Sequence, residues 1–187
     1  MSHETIIPEN SPERILRVKG YSLWLVPEGK ELEELNNLVD ELAKKFNAPL
    51  FIPHVTILGG IDLKEEDVIA KTRQIAINQE AFDIELNEIK YEGAWNRALF
   101  IRGKDSPELT NLFKNSHAIF QAGNPPPFPH MSIAYGAFPK EAKEEVIREV
   151  NGKYPSRFNV SSIQIYNTDG LVSEWGKVAE IPLPTRV

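Results

Sequence analysis

The chain contains no cysteine. That excludes disulfides, thiolate nucleophiles and thiolate metal sites. It also fits a reducing compartment, so a cytoplasmic location is expected. No apolar run is long enough to cross a bilayer. The opening Met1-Ser2-His3-Glu4-Thr5 lacks the basic-then-apolar pattern of a secretory signal. Basic charge is in deficit: 21 Lys and Arg face 27 Asp and Glu, for a formal net charge of −6. A protein that grips long RNA or DNA by its phosphates needs a basic surface. The expected partner is therefore a small phosphate-bearing molecule, with no long nucleic acid and no membrane. Metal-ligand spacings are missing as well, with no H-x-H, no H-E-x-x-H and no local carboxylate cluster. Neither a metal nor another cofactor is expected.

What remains is an ordinary core-forming composition, 41% hydrophobic and 26% charged, on 187 residues. That length suits one medium domain or two tightly joined lobes. Residues 1–16 are polar, contain Pro8 and Pro12, and read as a tail; 17–187 form one bilobal domain. Strand patterns run over Val18–Pro27, Phe51–Leu58, Phe82–Tyr91 (edge-like), Arg97–Gly103, Phe158–Tyr166 and Lys177–Leu183. Helical spacing predicts helices over Lys30–Asn47, from an Asp62 N-cap with Glu65 completing a capping box through Ile75, over Pro107 to about Gln121 behind a Ser106 cap, and over Lys140–Val150. The order strand, helix, strand, helix, strand occurs twice. Many strands are short and alternating, so an α+β architecture with antiparallel sheets is as good a reading as a parallel one.

Two short strings carry the chemistry: Pro53-His54-Val55-Thr56 and Pro129-His130-Met131-Ser132. Each is a His with a hydroxyl residue two positions on, behind a Pro and at the head of an apolar run that ends at Gly. In a strand, residues two apart share a face. His54 and Thr56 should project together, and so should His130 and Ser132. Two imidazoles supply an acid and a base, and two hydroxyls can hold an anion. Arg97 opens a strand and is a candidate phosphate contact. His3 falls in the tail and His117 on a helix, and neither is assigned chemistry. Gly59-Gly60 lacks the G-K-[ST] of a phosphate loop.

On these motifs the chain, from about Tyr21 to Leu183, resembles the 2H phosphoesterase superfamily, and within it the cyclic nucleotide phosphodiesterase family of plants and fungi. The resemblance rests on Tyr21-Ser22-Leu23-Trp24-Leu25-Val26-Pro27, Pro53-His54-Val55-Thr56-Ile57-Leu58-Gly59, Pro129-His130-Met131-Ser132-Ile133-Ala134-Tyr135-Gly136 and the closing Trp175–Leu183 segment. It implies an α+β fold of two pseudo-symmetric lobes, each a mainly antiparallel sheet backed by helices, with the active site between them. It implies metal-independent hydrolysis of ADP-ribose 1″,2″-cyclic phosphate, a by-product of tRNA splicing, and of nucleoside 2′,3′-cyclic phosphates to 2′-phosphates. By the same resemblance His54 and His130 are the catalytic pair, and Thr56 and Ser132 hold phosphate oxygens. Trp24 and Tyr135 then line the substrate pocket. Strand parity sets Tyr135 opposite His130, so Tyr135 reaches the cleft only if its strand bends or ends near Gly136. Plant members carry cysteines that this chain lacks, so redox control is not transferred. Two other readings are a 2′-5′ RNA ligase-like enzyme that processes RNA ends and a non-catalytic nucleotide-binding module. The expected state is a monomer.

Overall fold

The computed structural model describes residues 19–185. The expected tail, the expected domain start at residue 17 and His3 lie outside the described residues. The chain runs through β1 (Tyr21–Leu25), α1 (Gly29–Phe46), β2 (Val55–Ile61), α2 (Glu65–Ala76) and β3 (Phe82–Lys90). It repeats that order with β4 (Leu99–Gly103), α3 (Pro107–Phe120), β5 (His130–Ala134), α4 (Lys140–Val150) and β6 (Arg157–Val160), and closes with β7 (Ser162–Asn167) and β8 (Gly176–Pro182). Residues Trp95–Arg97 and Val172–Glu174 each form one 3-10 turn.

Every strand pair is antiparallel, in the order β6-β3-β4-β5-β2-β1-β7-β8. This is the expected α+β architecture. Two four-stranded halves meet at the β2–β5 seam, where the paired residues are Val55 and Met131. One residue, Ser161, separates β6 from β7, yet these strands sit toward opposite ends of the order. The sheet must therefore curl so that its ends approach. The single strand expected over Phe158–Tyr166 is thus two strands, divided as the chain passes from one half to the other.

Three further expectations need correcting. The strand β3 is interior, between β6 and β4. Its alternation reflects one solvated face rather than an edge. Asp62 does not cap α2, which starts at Glu65 behind Lys64 with no side-chain cap. The reason lies in β2, which continues to Ile61. Tyr21 pairs with Ile61 and Leu23 with Leu58, so Gly59-Gly60 sits in a bulge and bends the strand without ending it. The acidic Glu65, Glu66 and Asp67 in the first turn of α2 face the positive end of its dipole. Third, Arg97 lies in a 3-10 turn, and the strand begins at Leu99.

The helix ends follow local chemistry. Ser106 Oγ accepts a bond from Leu109 N at 3.1 Å, with Pro107 opening α3. Asn47 (φ 49°) and Gln121 (φ 53°) close α1 and α3 in the left-handed region. Each then leads into a loop that ends in Pro-His. The helices cross the seam: α1, which follows β1, packs on β5, and α3, which follows β4, packs on β2. Lys45 of α1 reaches Glu145 and Glu149 of α4 at 2.9 and 3.0 Å. Alternate strand residues Leu23, Leu25, Val55, Leu99, Met131 and Ile163 are fully buried beneath these helices. The residues between them point to the opposite, concave face. No helix among the described residues is long and apolar enough to cross a membrane.

Gly20 binds the start of β1 to the turn before β8: its N–H donates to Asp169 Oδ1 at 2.7 Å, and its carbonyl accepts from Thr168 N at 2.9 Å. Its φ is 82°, and a Cβ there would run into the Ile61 carbonyl; Gly60 (φ 69°) faces open space. Gly20→Ala is therefore expected to lose more than about 2 kcal/mol in urea denaturation, and Gly60→Ala only about 1 kcal/mol of left-handed strain. Equal losses would remove the Ile61 clash as the cause.

Candidate active site

The seam builds the site. Val55 and Met131 are both fully buried on the helix side. By the two-residue period, their neighbours His54, Thr56, His130 and Ser132 point to the concave face. Antiparallel pairing about Val55–Met131 sets His54 across from Ser132, and Thr56 across from His130. The four side chains named by the sequence motifs are therefore neighbours, related by an approximate two-fold axis through one backbone pair.

Each His is held the same way. His54 Nδ1 lies 2.6 Å from the Ile52 carbonyl, and His130 Nδ1 lies 3.5 Å from that of Phe128. In both cases the carbonyl belongs to the residue before the Pro, whose ring fixes the local backbone. A carbonyl only accepts, so Nδ1 carries the proton in His54 and Nε2 keeps its lone pair. Stacking adds a second restraint. The His54 ring lies 3.6 Å from Trp24 at 10°, and Tyr166 lies 3.9 Å from Trp24 at 23°. Two rings this close and this parallel cannot share one face, so Trp24 is sandwiched between them. It reaches the cleft by its edge, with both faces occupied.

Burial holds the His54 imidazole well below its ordinary 6.5, at about 4; the Ile52 carbonyl opposes the shift, and the charge of His130 adds to it. Burial also lowers His130, helped by the Arg97 guanidinium and opposed by the Phe128 carbonyl and the Glu92 carboxylate. Arg97, the candidate phosphate contact, thus stands near His130, but it is paired. Its Nε is 2.7 Å from Glu92 Oε2, an ionic contact without hydrogen-bond alignment. Ser132 Oγ donates to the Asn96 carbonyl at 2.7 Å. Thr56 is half-buried, and its hydroxyl makes no hydrogen bond to another described side chain or carbonyl. The strand β5 ends at Ala134, which frees Tyr135 from strand parity. Its ring stacks on Phe51 at 3.9 Å and lies 5.3 Å from Trp95.

Beside the His pair opens a cleft of about 820 Å³ whose aromatic wall is Trp24, Phe51, Trp95, Tyr166 and Trp175. Phe51 also stands edge-on to His54 at 6.4 Å, so the cleft adjoins that imidazole. Trp175, on the cleft wall, has its Nε1 buried with no hydrogen-bond partner among the described residues. Sequence reasoning missed Phe51, Trp95 and Tyr166. One signal was available: the chain has three Trp, and all three line this cleft. His117 serves the fold, its ring nitrogens addressing the Gly123 and Ile57 carbonyls. Among the described residues no group of three or more His, Asp or Glu is placed to hold a metal.

Two His-x-hydroxyl strands meeting at the seam of a two-lobed antiparallel sheet define the two-histidine, or 2H, class of phosphoesterase. Residues 30–171 match the 2′-5′ RNA ligase superfamily, and the chain belongs to that family. A cyclic phosphodiesterase of Arabidopsis thaliana is 21% identical over 125 residues, covering 66% of this chain and 69% of that protein. A 2′,3′-cyclic-nucleotide 3′-phosphodiesterase of Kluyveromyces lactis is 27% identical over 167 residues, 78% of each chain. Among solved structures, Escherichia coli LigT complexed with 3′-AMP superposes with a TM-score of 0.60 at 15% identity, covering 89% of this chain and 98% of that one. TT0787 of Thermus thermophilus gives 0.58 at 15%, covering 90% and 98%. These structural likenesses concern the fold.

Because folding lowers the His54 value from 6.5 to about 4, the unfolded chain binds a proton in that window that the folded chain refuses. Stability should therefore fall as pH drops from 6.5 to 4, by about 3 kcal/mol from this group. His54→Asn is expected to flatten that part of the pH dependence in urea denaturation. An unchanged slope would mean that His54 is not desolvated.

Proposed function

We propose that this protein is a metal-independent cyclic phosphodiesterase. It opens nucleoside 2′,3′-cyclic phosphates to the 2′-phosphates, ADP-ribose 1″,2″-cyclic phosphate to a ring-opened monophosphate, or both, by His/His acid–base catalysis. The observation that carries the reading is the convergence of His54, Thr56, His130 and Ser132 about the Val55–Met131 pair, beside an aromatic cleft. The names of the Arabidopsis and Kluyveromyces relatives support it, as does the 3′-AMP held by LigT. A 3′-phosphodiesterase breaks the bond between phosphorus and O3′ and leaves the phosphate on O2′.

In this mechanism the nucleoside rests in the aromatic cleft and the cyclic phosphate sits over the four polar side chains. His54 is the base. Its Nδ1–H is committed to Ile52 and its burial favours the neutral ring, so Nε2 is free to take a proton from water. The water oxygen bonds to phosphorus as one ring ester bond breaks, the bond to O3′ in a 2′,3′-cyclic phosphate. His130 is the acid and delivers its proton to the departing O3′. It is the less buried of the two, and Glu92 supports its charged form. The bound phosphate anion further favours an imidazolium there. Thr56, across the seam from His130, donates to one phosphoryl oxygen. Ser132 does so after giving up the Asn96 carbonyl. Trp24 holds the plane of the His54 ring, which makes it a positioning residue.

The test is a steady-state screen of cyclic phosphates with single variants. His54→Ala and His130→Ala should each lose on the order of 10²–10⁴-fold in kcat with melting temperature retained. Thr56→Ala should lose about 10²-fold in kcat/KM, and Ser132→Ala less, because its proton is already engaged. Near-normal turnover in either His variant removes the mechanism. Binding of a 2′-nucleotide with no turnover would favour a binding module. A preference for RNA ends would favour the ligase-like reading.

The wild-type kcat/KM should be bell-shaped in pH. The acid limb belongs to His54 near 4, since protonation there removes the base, and the alkaline limb to His130 below 6.5, since deprotonation removes the acid. The optimum should thus be mildly acidic, and a flat profile from about pH 5 to 9 would oppose the assignment. Activity should also survive EDTA, because the described residues offer no metal-holding cluster. Loss in EDTA with recovery on one added metal would overturn the reading.

A further inference from the structure

The two halves of the concave face differ in charge. On the β2 side, β1 puts Trp24 beside Thr56, and β7 puts Gln164 beside Trp24. On the β5 side, β4 puts Phe100 beside Ser132 and Arg102 beside His130, and β3 puts Lys90 beside Phe100. Leu99 and Ile101 belong to the main core, so Phe100 and Arg102 point to the His130 face. The Phe100 ring meets His130 edge-on at 5.5 Å, the counterpart of the Trp24–His54 stack. The half beside His54 is thus aromatic, its charges Lys177 and Glu180 on β8 paired with each other at 2.8 Å, while the half beside His130 carries further cations.

Lys90 and the nearby Arg97 are neutralised locally. Lys90 Nζ lies 2.9 Å from Glu88, and Arg97 Nε lies 2.7 Å from Glu92. Arg102 has no carboxylate within ion-pair distance among the described residues. Its guanidinium lies over the Phe128 ring, with Cζ 5.2 Å from the centroid. Phe128 in turn stands edge-on to His130 at 5.8 Å and is near-parallel to Phe100 at 5.8 Å. An aromatic ring beneath a guanidinium fixes its plane and leaves its N–H edges free for an anion. In a chain of net charge −6, this is a held and unspent positive charge on the residue that pairs with His130 across the sheet.

We propose that Arg102, seated on Phe128, forms an anion subsite beside His130 that binds a second phosphate of the substrate, one that is not hydrolysed. This rests on the cyclic phosphodiesterase reading above. The preferred substrate then carries a further phosphate on the nucleotide whose cyclic phosphate is opened. That phosphate has three possible sources: a 5′-monophosphate, the pyrophosphate of a dinucleotide, or the phosphodiester of a short RNA end. All three present the same anionic oxygens to the guanidinium.

Titration calorimetry with product-like ligands tests this. Wild-type protein should bind adenosine 2′,5′-bisphosphate about tenfold more tightly than adenosine 2′-phosphate. In Arg102→Gln that ratio should fall to near one, with Arg102→Lys between. Phe128→Leu, which removes the support and leaves the charge, should also shrink the ratio and gives an independent reading if Arg102→Gln does not fold. NADP+ and a dinucleotide ending in a 2′-phosphate separate the other two sources, each supporting the subsite if its gain over adenosine 2′-phosphate depends on Arg102. A ratio near one in the wild type, or one unchanged in Arg102→Gln, overturns the subsite and leaves the proposed function standing. No binding of adenosine 2′-phosphate, together with no turnover of any cyclic phosphate, overturns both.

Discussion

One backbone pairing between two buried apolar residues, Val55 and Met131, organises this molecule. It joins the two halves of the sheet, and by the alternation of strand side chains it turns His54, Thr56, His130 and Ser132 outward together. A ladder this short is a weak joint in itself. The helices brace it, because α1 from the first half packs on β5 and α3 from the second packs on β2. The spacing of the two imidazoles thus depends on helix packing on the far side of the sheet. Substitutions at Leu35 or Leu112, both fully buried and remote from the cleft, would be felt at the site.

The site sets burial against polarity. Desolvation pushes both imidazoles toward the neutral form, and each is opposed by a backbone carbonyl at Nδ1. A Pro holds each carbonyl in place, so the same three-residue unit supplies orientation, tautomer and part of the electrostatic balance. The aromatic rings act differently on the two histidines. Trp24 lies flat on His54, whereas Phe100 and Phe128 approach His130 by their edges, so His54 is the more rigidly enclosed. This asymmetry, imposed on a near-symmetric backbone, separates the two rings into different acid–base roles in the proposed mechanism.

Much of the site was legible because its signal is local. His-x-Thr and His-x-Ser need only a period of two to share a face, and Pro-His fixes the local turn without help from elsewhere. The helix over Lys140–Val150 and the Ser106 cap were readable for the same reason. The failures are non-local. Phe158–Tyr166 reads as one apolar strand, and nothing within it says that Ser161 carries the chain from one half of the sheet to the other. Gly59-Gly60 reads as a strand end, and only pairing with β1 makes it a bulge. Asp62 has the right chemistry for a cap but is still leaving the strand.

The sequence by itself determined most of the elements and the two paired His and hydroxyl positions, which follow from short-range periodicity and residue type, and those motifs carried the resemblance to the family. The tertiary structure decided that the two strings are neighbours across one pair of residues, and that Trp24 has both faces occupied by His54 and Tyr166. It also decided that Phe51, Trp95 and Trp175 converge on one cleft from three separate loops, and that Arg102 alone of the nearby cations is unpaired among the described residues. These are outcomes of strand order, register and packing between residues far apart in the chain. No local pattern encodes them, because the energy that selects them is released only when the two halves of the sheet close around a common core.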